Sequence, residues 1–352
     1  MTTVKLKEYN IYIGDVWETF KDFLKQETYI KPMILVDENT RRDCLPIFLK
    51  KSGLKDYSII ETTSGEINKN LQTCEMIWRE MMSAKATRRS LTINLGGGVI
   101  GDMGGFCAST FKRGMDFIQV PTTLLSQVDS SIGGKLGIDF GPLKNSIGLF
   151  KNPKAVFIDP IFYETLDPRE FRSGFAEVIK HSLIADQEQW KILQGLEQVA
   201  DFDWEKLLVP SLMIKKKIVE EDPFEKGIRK ALNFGHTIGH AIEGDALTKG
   251  ISLLHGEAIA IGMVCEAWLS YKTCGFEEKD LNSITQFMLH HYGHYKFSKS
   301  SFPNFLQLMQ QDKKNETKEI NFTMLKSPGE ALINQYCSNS LIEQSLEYYL
   351  DL

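Results

Sequence analysis

The first half of the chain alternates short β-branched and apolar runs with helical stretches, and the second half does not. The runs are MILV (33–36), YSII (57–60), LTINL (91–95), FIQV (117–120) and AVFID (155–159), and they read as buried strands. Helix-like segments such as 68–83 lie between several of them. Strand–helix alternation implies a mostly parallel sheet with helices on both faces, a Rossmann-like α/β domain. From about Pro168 helical periodicity dominates, so an all-α domain is expected to follow. Asp167-Pro168 and Asp222-Pro223 look like helix starts, with Asp at the cap and Pro in the first turn. The boundary is placed near Asp159-Pro160, giving domains 1–160 and 161–352. A chain of 352 residues is long enough for two such cores.

A net charge of −5 argues against general nucleic-acid binding. The short basic run Lys215 to Lys217 reads as a solvated helix face or an anion site. No stretch approaches ~18 uninterrupted apolar residues, and the N-terminus lacks a signal-peptide core, so no membrane association is expected. Six scattered cysteines without C-x-x-C fit reduced thiols in the cytoplasm.

LTINLGGGVIGDMGGF is a strand running into glycines and then a helix, with Gly96, Gly98 and Gly101 in G-x-G-x-x-G spacing. Such a turn is either a phosphate cradle or only a tight connection. At least two strands precede it, unlike an ordinary dinucleotide-binding domain, and Asp102 inside the motif is unusual. The following segment, QVPTTLLSQVDSSIGGKLGIDFGPLKN, packs hydroxyls, Asp129, Lys135 and Lys144 between glycines, as ligand-binding loops at a sheet edge do.

EEDPFEKGIRKALNFGHTIGHAIE (220–243) places His236 and His240 four apart in a segment that reads as helix, with Arg229 and Asn233 on the same stripe. His255 follows in LLHGEAIAIGM. Three imidazoles suit a metal, but spacing does not choose among the neighbouring carboxylates. Glu177 and His181, also four apart, could chelate by themselves. HTIGH is similar to the zinc-protease H-E-x-x-H, yet Thr237 stands where the general base would be, which excludes that chemistry. The rival cluster HHYGH (His290, His291, His294) reads as the solvated end of a helix closed by Gly293.

Together these motifs resemble the 3-dehydroquinate synthase family of sugar phosphate cyclases. The markers are GGGVIGD, KRG (112–114), PTTLLSQVDSSIGGK, KN (144–145), GFAEVIK, the 220–243 segment, LHGEAIAIGM and DKKN (312–315). The resemblance implies conversion of 3-deoxy-D-arabino-heptulosonate 7-phosphate to 3-dehydroquinate and phosphate in the shikimate pathway. Transient oxidation by NAD, β-elimination of phosphate, re-reduction and intramolecular aldol closure leave no net redox change. It implies a divalent metal, zinc or cobalt, on residues matching Glu177, His236 and His255, with His240 on the substrate side and His181 set aside. Lys135, Asp129, Lys180, Asn233 and His240 would line the reaction, together with Arg229. Arg229 and Lys215 would meet the substrate carboxylate. Asn145, Lys313 and Lys314 would surround the substrate, and Arg113 would reach the phosphate across a homodimer interface. For NAD the matching positions are Asp37, Glu66, Lys69, Gly97, Gly98, Val99, Asp102, Thr122, Thr123, Leu125, Lys144, Phe162, Thr165 and Glu170.

Three places depart from the family pattern. Leu136 stands where Thr is common, Leu143 where Gly is common, and DKKNETKEINF lacks a Gly before its strand. None removes a charged or ligating group. The alternatives are another sugar phosphate cyclase, or a metal-dependent NAD polyol dehydrogenase of the glycerol dehydrogenase type. A non-catalytic sensor would have lost a ligand or a phosphate lysine.

Overall fold

The structure, a computed structural model, describes every residue except 28, 142 and 312–318, and the side chains of 143 and 200 are also left aside. Lys313 and Lys314 therefore lie outside the described residues. The chain forms two compact units, Met1–Phe171 and Arg172–Leu352.

The first unit is built on strands β1 (Thr2–Lys5), β2 (Asn10–Ile13), β3 (Ile30–Asp37), β4 (Ser58–Thr62), β5 (Ser90–Gly96) and β6 (Asp116–Pro121), a hairpin of β7 (Lys135–Phe140) and β8 (Leu143–Phe150), and β9 (Ala155–Ile158). Seven of these make one sheet in the order β1-β2-β9-β6-β5-β3-β4. All its pairings are parallel except β1 with β2. The five strands expected from sequence are all present, and β1 and β2 extend the sheet at one edge.

Period-two alternation explains why this sheet is covered on both sides. Ile34 and Val36 join Trp17, Phe20, Phe48 and Phe162 in one core. Their neighbours Met33 and Leu35 join Ile77, Met81, Ile100 and Met103 in the other. Chain order reverses beside β3, which pairs with β4 on one side and β5 on the other. Ligands of open parallel sheets bind at such a switch point, beyond the strand C-termini.

The second unit is helical and adds one antiparallel hairpin, β10 (Asn321–Ser327) with β11 (Glu330–Tyr336). Asp167 precedes helix Pro168–Ala185 as expected. Asp222-Pro223 is different, because it ends helix Val209–Glu221 instead of starting one. The Asp222 carboxylate accepts the backbone N–H groups of Lys226, Gly227 and Arg229 at 3.0, 2.7 and 3.1 Å. It thus folds the following loop back on itself. No helix among the described residues is long and apolar enough to cross a membrane.

Candidate active site

Four helices and a 3-10 turn carry the described candidate residues of the second unit. Helix Pro168–Ala185 holds Glu177 and Lys180, and helix Val209–Glu221 holds Lys215. Helix His236–Thr248 holds His236 and His240, and helix His255–Thr273 begins with His255. Arg229 and Asn233 do not share the helix of His236, contrary to the single stripe expected from spacing. They sit on a 3-10 turn, Ile228–Asn233, that ends before Phe234 and Gly235. Gly235 takes φ +78, a left-handed conformation that breaks the helical run. It is also pressed against the neighbouring helix, where a Cβ would lie 2.5 Å from Met263 Cγ.

The imidazoles still converge. Ligand atoms of His236, His240 and His255 lie within 4.8 Å of one another. Glu177, fully buried, supplies the carboxylate that spacing could not choose: its Oε1 is 3.5 Å from Nε2 of His236 and 3.5 Å from Nε2 of His255. Its other oxygen contacts the ammonium of buried Lys180. The opposite ring nitrogens are engaged too. His236 Nδ1 faces the Phe234 carbonyl at 3.1 Å, and His255 Nδ1 faces Glu243 Oε2 at 3.3 Å. A carbonyl or carboxylate only accepts, so both Nδ1 atoms carry protons, and both Nε2 atoms face Glu177.

This donor set fits a divalent cation. Ligands of a tetrahedral zinc stand about 3.4 Å apart when each bond is about 2.0–2.1 Å. The two nitrogen–oxygen separations here are close to that edge length. Burial disfavours the charged form of His255, but Glu243 and Glu177 outweigh it and hold its pKa up to about 9. The pocket therefore attracts positive charge. Gly256, next to His255, lets the helices meet: its N–H donates to Ser173 Oγ at 2.9 Å, and a Cβ there would fall 1.9 Å from the Ser173 carbonyl.

Arg229 is 2% exposed and donates to the Pro223 carbonyl. Asn233 donates to Glu225 Oε1 at 2.9 Å. Lys215 is buried at 4% exposure, so it does not belong to a solvated face with Lys217. His181 pairs with Ser211 at 2.7 Å, and one of its ring nitrogens lies within 4.8 Å of a Glu177 carboxylate oxygen. In the rival cluster, Gly293 ends the helix as expected, but His291 is not solvated. Its ring packs against Phe287 and Phe175 with centroids 4.3 and 5.9 Å apart, and burial together with neighbouring His290 lowers its pKa to about 4.

In the first unit the positions matched to NAD gather at strand C-termini. Asp37 closes β3, Glu66 and Lys69 follow β4, and Gly97 and Gly98 follow β5. Thr122, Thr123 and Leu125 follow β6, and Phe162 and Thr165 follow β9. The glycine turn leads straight into helix Gly98–Thr110, with Gly97 as its cap and Val99 in its first turn. A Cβ on Gly98 would press on Ser130 Oγ at 3.0 Å. Asp102 is explained by Lys69, which it meets at 2.6 Å. Burial disfavours the Lys69 ammonium, but Asp102 and Glu66 more than offset it and raise its pKa. Lys69 also donates to Asn145 Oδ1 at 2.6 Å, and Lys144 lies 3.8 Å from Glu66.

Asp139 belongs to this network and escaped the sequence reading. Its Oδ1 accepts the N–H of Asn145 at 2.7 Å, and its own N–H donates to the Lys69 carbonyl. Only the β7–β8 pairing, invisible in a glycine-rich polar stretch, could have revealed it. Asp37 caps the next helix by accepting from Thr40 N–H at 2.7 Å. The Thr165 hydroxyl donates to the Phe162 carbonyl at 3.3 Å. The Phe162 ring lies in the core, so any cofactor contact there falls to its backbone. Glu170 is exposed in the first turn of helix Pro168–Ala185, and Asp129 sits in a π-helical turn, Ser126–Ser130. Lys135 opens β7. Leu136 packs in the apolar core beneath helix Gly98–Thr110, close to Gly105, where the family's common Thr would bring a hydroxyl. Lys112 and Arg113 both take positive φ, 50 and 67, ahead of Gly114. Two adjacent non-glycine residues held this way store backbone strain on the order of 1–3 kcal/mol each, a mark of functional segments.

The chain is similar to known proteins over most of its length. Residues 59–173 match the family described as 3-dehydroquinate synthase N-terminal, and residues 174–315 match 3-dehydroquinate synthase C-terminal. A 3-dehydroquinate synthase of Parabacteroides distasonis is 42% identical over 337 residues, covering 95% of this chain and 96% of its own. One from Clostridium beijerinckii is 40% identical over 310 residues, covering 87% and 88%. Among solved structures, a 2-deoxy-scyllo-inosose synthase complexed with carbaglucose-6-phosphate, NAD+ and Co2+ superposes with a TM-score of 0.88 over 99% of both chains. At 23% identity that likeness shows the fold.

Proposed function

The chain belongs to the 3-dehydroquinate synthase family, and from that premise we propose that it converts 3-deoxy-D-arabino-heptulosonate 7-phosphate to 3-dehydroquinate and phosphate with NAD and a divalent metal, zinc or cobalt. When bound, the dinucleotide supplies a transient oxidation and its reversal, and the cation supplies Lewis acidity. Glu177, His236 and His255 hold the cation. The turn at Gly97 and Gly98 takes the pyrophosphate at a helix N-terminus, where backbone N–H groups favour negative charge.

The remaining work falls to side chains of the chain itself. Arg229, with Lys215, grips the substrate carboxylate, because a planar guanidinium offers a bidentate fork. His240 shares a helix face with His236, with ring centroids 5.1 Å apart, and exchanges a proton with the substrate from its imidazole. Asn233 and Lys180 orient substrate oxygens. Lys135 and Asn145 bind the substrate, and a lysine there supplies the fixed charge that a departing phosphate needs. Arg113 reaches the phosphate of a second copy, so the working form is a homodimer. The cytoplasm is the compartment, in keeping with six cysteines that are all free thiols.

The observation that carries this reading is the convergence of two Nε2 atoms on one Glu177 oxygen, each at 3.5 Å. The test is phosphate release from the heptulosonate phosphate with catalytic NAD and Zn2+. Release without accumulation of free NADH is expected, and His255→Ala should abolish it. Accumulation of NADH in proportion to turnover would replace this reading with a polyol dehydrogenase. Equal rates for wild type and His255→Ala would sink the metal assignment.

A further inference from the structure

Both metal-facing imidazoles belong to the first residue of a helix, His236 of His236–Thr248 and His255 of His255–Thr273. Helix N-termini present unsatisfied N–H groups and the positive end of the dipole. That is the wrong sign beside a dication, so each start needs an anionic partner. At the His255 helix, Glu257 accepts the Leu254 N–H at 2.9 Å, in the manner of a local cap.

The His236 helix has no such local device. Its cap residue is Gly235, which has no side chain to offer. Replacement by a capping residue is blocked twice over, by φ +78 and by the approach of a Cβ to the Ile259 carbonyl at 3.0 Å. The cap comes instead from the neighbouring helix. Glu266, fully buried, accepts the Gly235 N–H at Oε2 (2.6 Å) and the Ile238 N–H at Oε1 (3.1 Å). These are the donors at the cap and at the third helical position, the pair that the two side chains of a capping box serve reciprocally. His236 lies between them.

We propose that Glu266 is a positioning residue of the metal centre: a tertiary cap that fixes the first turn of the His236 helix and supplies negative charge behind the ligand. This rests on His236 being a metal ligand. Glu266 touches neither substrate nor cofactor, and it acts through His236. Carboxylates one layer behind a ligand commonly set metal affinity by about 10–100-fold.

Zn2+ affinity, measured by competition with a chromophoric chelator, and the d–d absorption of the Co2+-loaded protein test the proposal. Glu266→Ala should weaken Zn2+ by ~10–100-fold and shift the Co2+ bands. Glu266→Gln, which keeps one acceptor oxygen, should fall between that variant and wild type, and it carries the test if the alanine variant does not fold. Ser270→Ala is the control. Ser270 bonds the Glu266 carbonyl at 2.7 Å and takes the Leu325 N–H at 2.9 Å, so its loss destabilises the same helix without touching the cap. It should lower the melting temperature and leave the Co2+ spectrum unchanged. Wild-type Zn2+ affinity in both Glu266 variants overturns the proposal, as does an equal loss in Ser270→Ala. If His236→Ala itself binds Zn2+ like wild type, the metal assignment fails and this inference with it. If His236→Ala loses Zn2+ while the Glu266 variants do not, only the inference fails.

Discussion

Two histidine clusters in the second unit use the same side chain for opposite ends. His236, His240 and His255 sit at or near helix starts, and the carboxylates of Glu177 and Glu243 face His236 and His255 at 3.3–3.5 Å. His290, His291 and His294 sit at and beyond a helix end. There His290 and His294 face the carbonyls of Glu197 and Tyr349, each at 2.9 Å, and His291 is wedged among aromatic rings. The consequence is electrostatic. His255 is pushed up to about 9 and His291 down to about 4. Density of histidine does not make a metal site, whereas convergence on buried negative charge does.

Removing that charge should have the largest effect. Glu177→Ala leaves two imidazoles and Lys180 without their shared carboxylate. Lewis-acid stabilisation worth several kcal/mol should vanish, so phosphate release should fall on the order of 10^4-fold. Metal content by elemental analysis should fall with it, and full occupancy in this variant would break the comparison. The equivalent change in the other cluster, His294→Ala, should leave metal content untouched.

His240→Ala should separate ligand from substrate-side group, which proximity alone does not, since its ring is 5.7 Å from that of His255. A lost proton-transfer group costs about 10^2–10^4-fold. The expectation is a turnover drop of roughly 10^2-fold with the Co2+ spectrum retained. Loss of the spectrum would move His240 into the ligand set. Glu243→Gln should do less: the His255 Nδ1–H keeps an acceptor, but the charge behind the ring is gone, and Zn2+ affinity should fall about 10-fold. A chelator titration reads this directly, and an unchanged affinity would leave Glu243 a structural group only.

The same contrast marks how far the sequence could be read. The five strands were legible because each is a short run rich in apolar and β-branched residues. β1 and β2 were not, since Thr2–Lys5 and Asn10–Ile13 are short and mixed with polar residues. The glycine turn was legible as a backbone feature, but its Asp102 made sense only once Lys69 was beside it. His236 and His240 share a face because four residues separate them on one helix. Arg229 and Asn233 looked continuous with them, and the left-handed Gly235 showed otherwise. Glu177 and Glu266 meet the His236 helix from other helices, and such pairings have no periodicity to read. The resemblance pointed to Glu177 and was silent on Glu266.

The smallest effect tests the second cluster on its own terms. Burial among Phe175 and Phe287, with His290 adjacent, depresses the His291 pKa to about 4, against about 6.5 in an unfolded chain. A histidine kept neutral by folding contributes stability that is complete above the unfolded-state value. That contribution is lost as pH falls through the folded-state value, because the unfolded chain takes up the proton first. Wild type should therefore lose more melting temperature than His291→Phe between pH 7 and pH 4. For a unit of this size the excess should be about 2–4 °C per kcal/mol of linkage. Thermal melts across that range decide it. Parallel curves would mean that His291 is not held neutral and that the two clusters differ less than their surroundings imply.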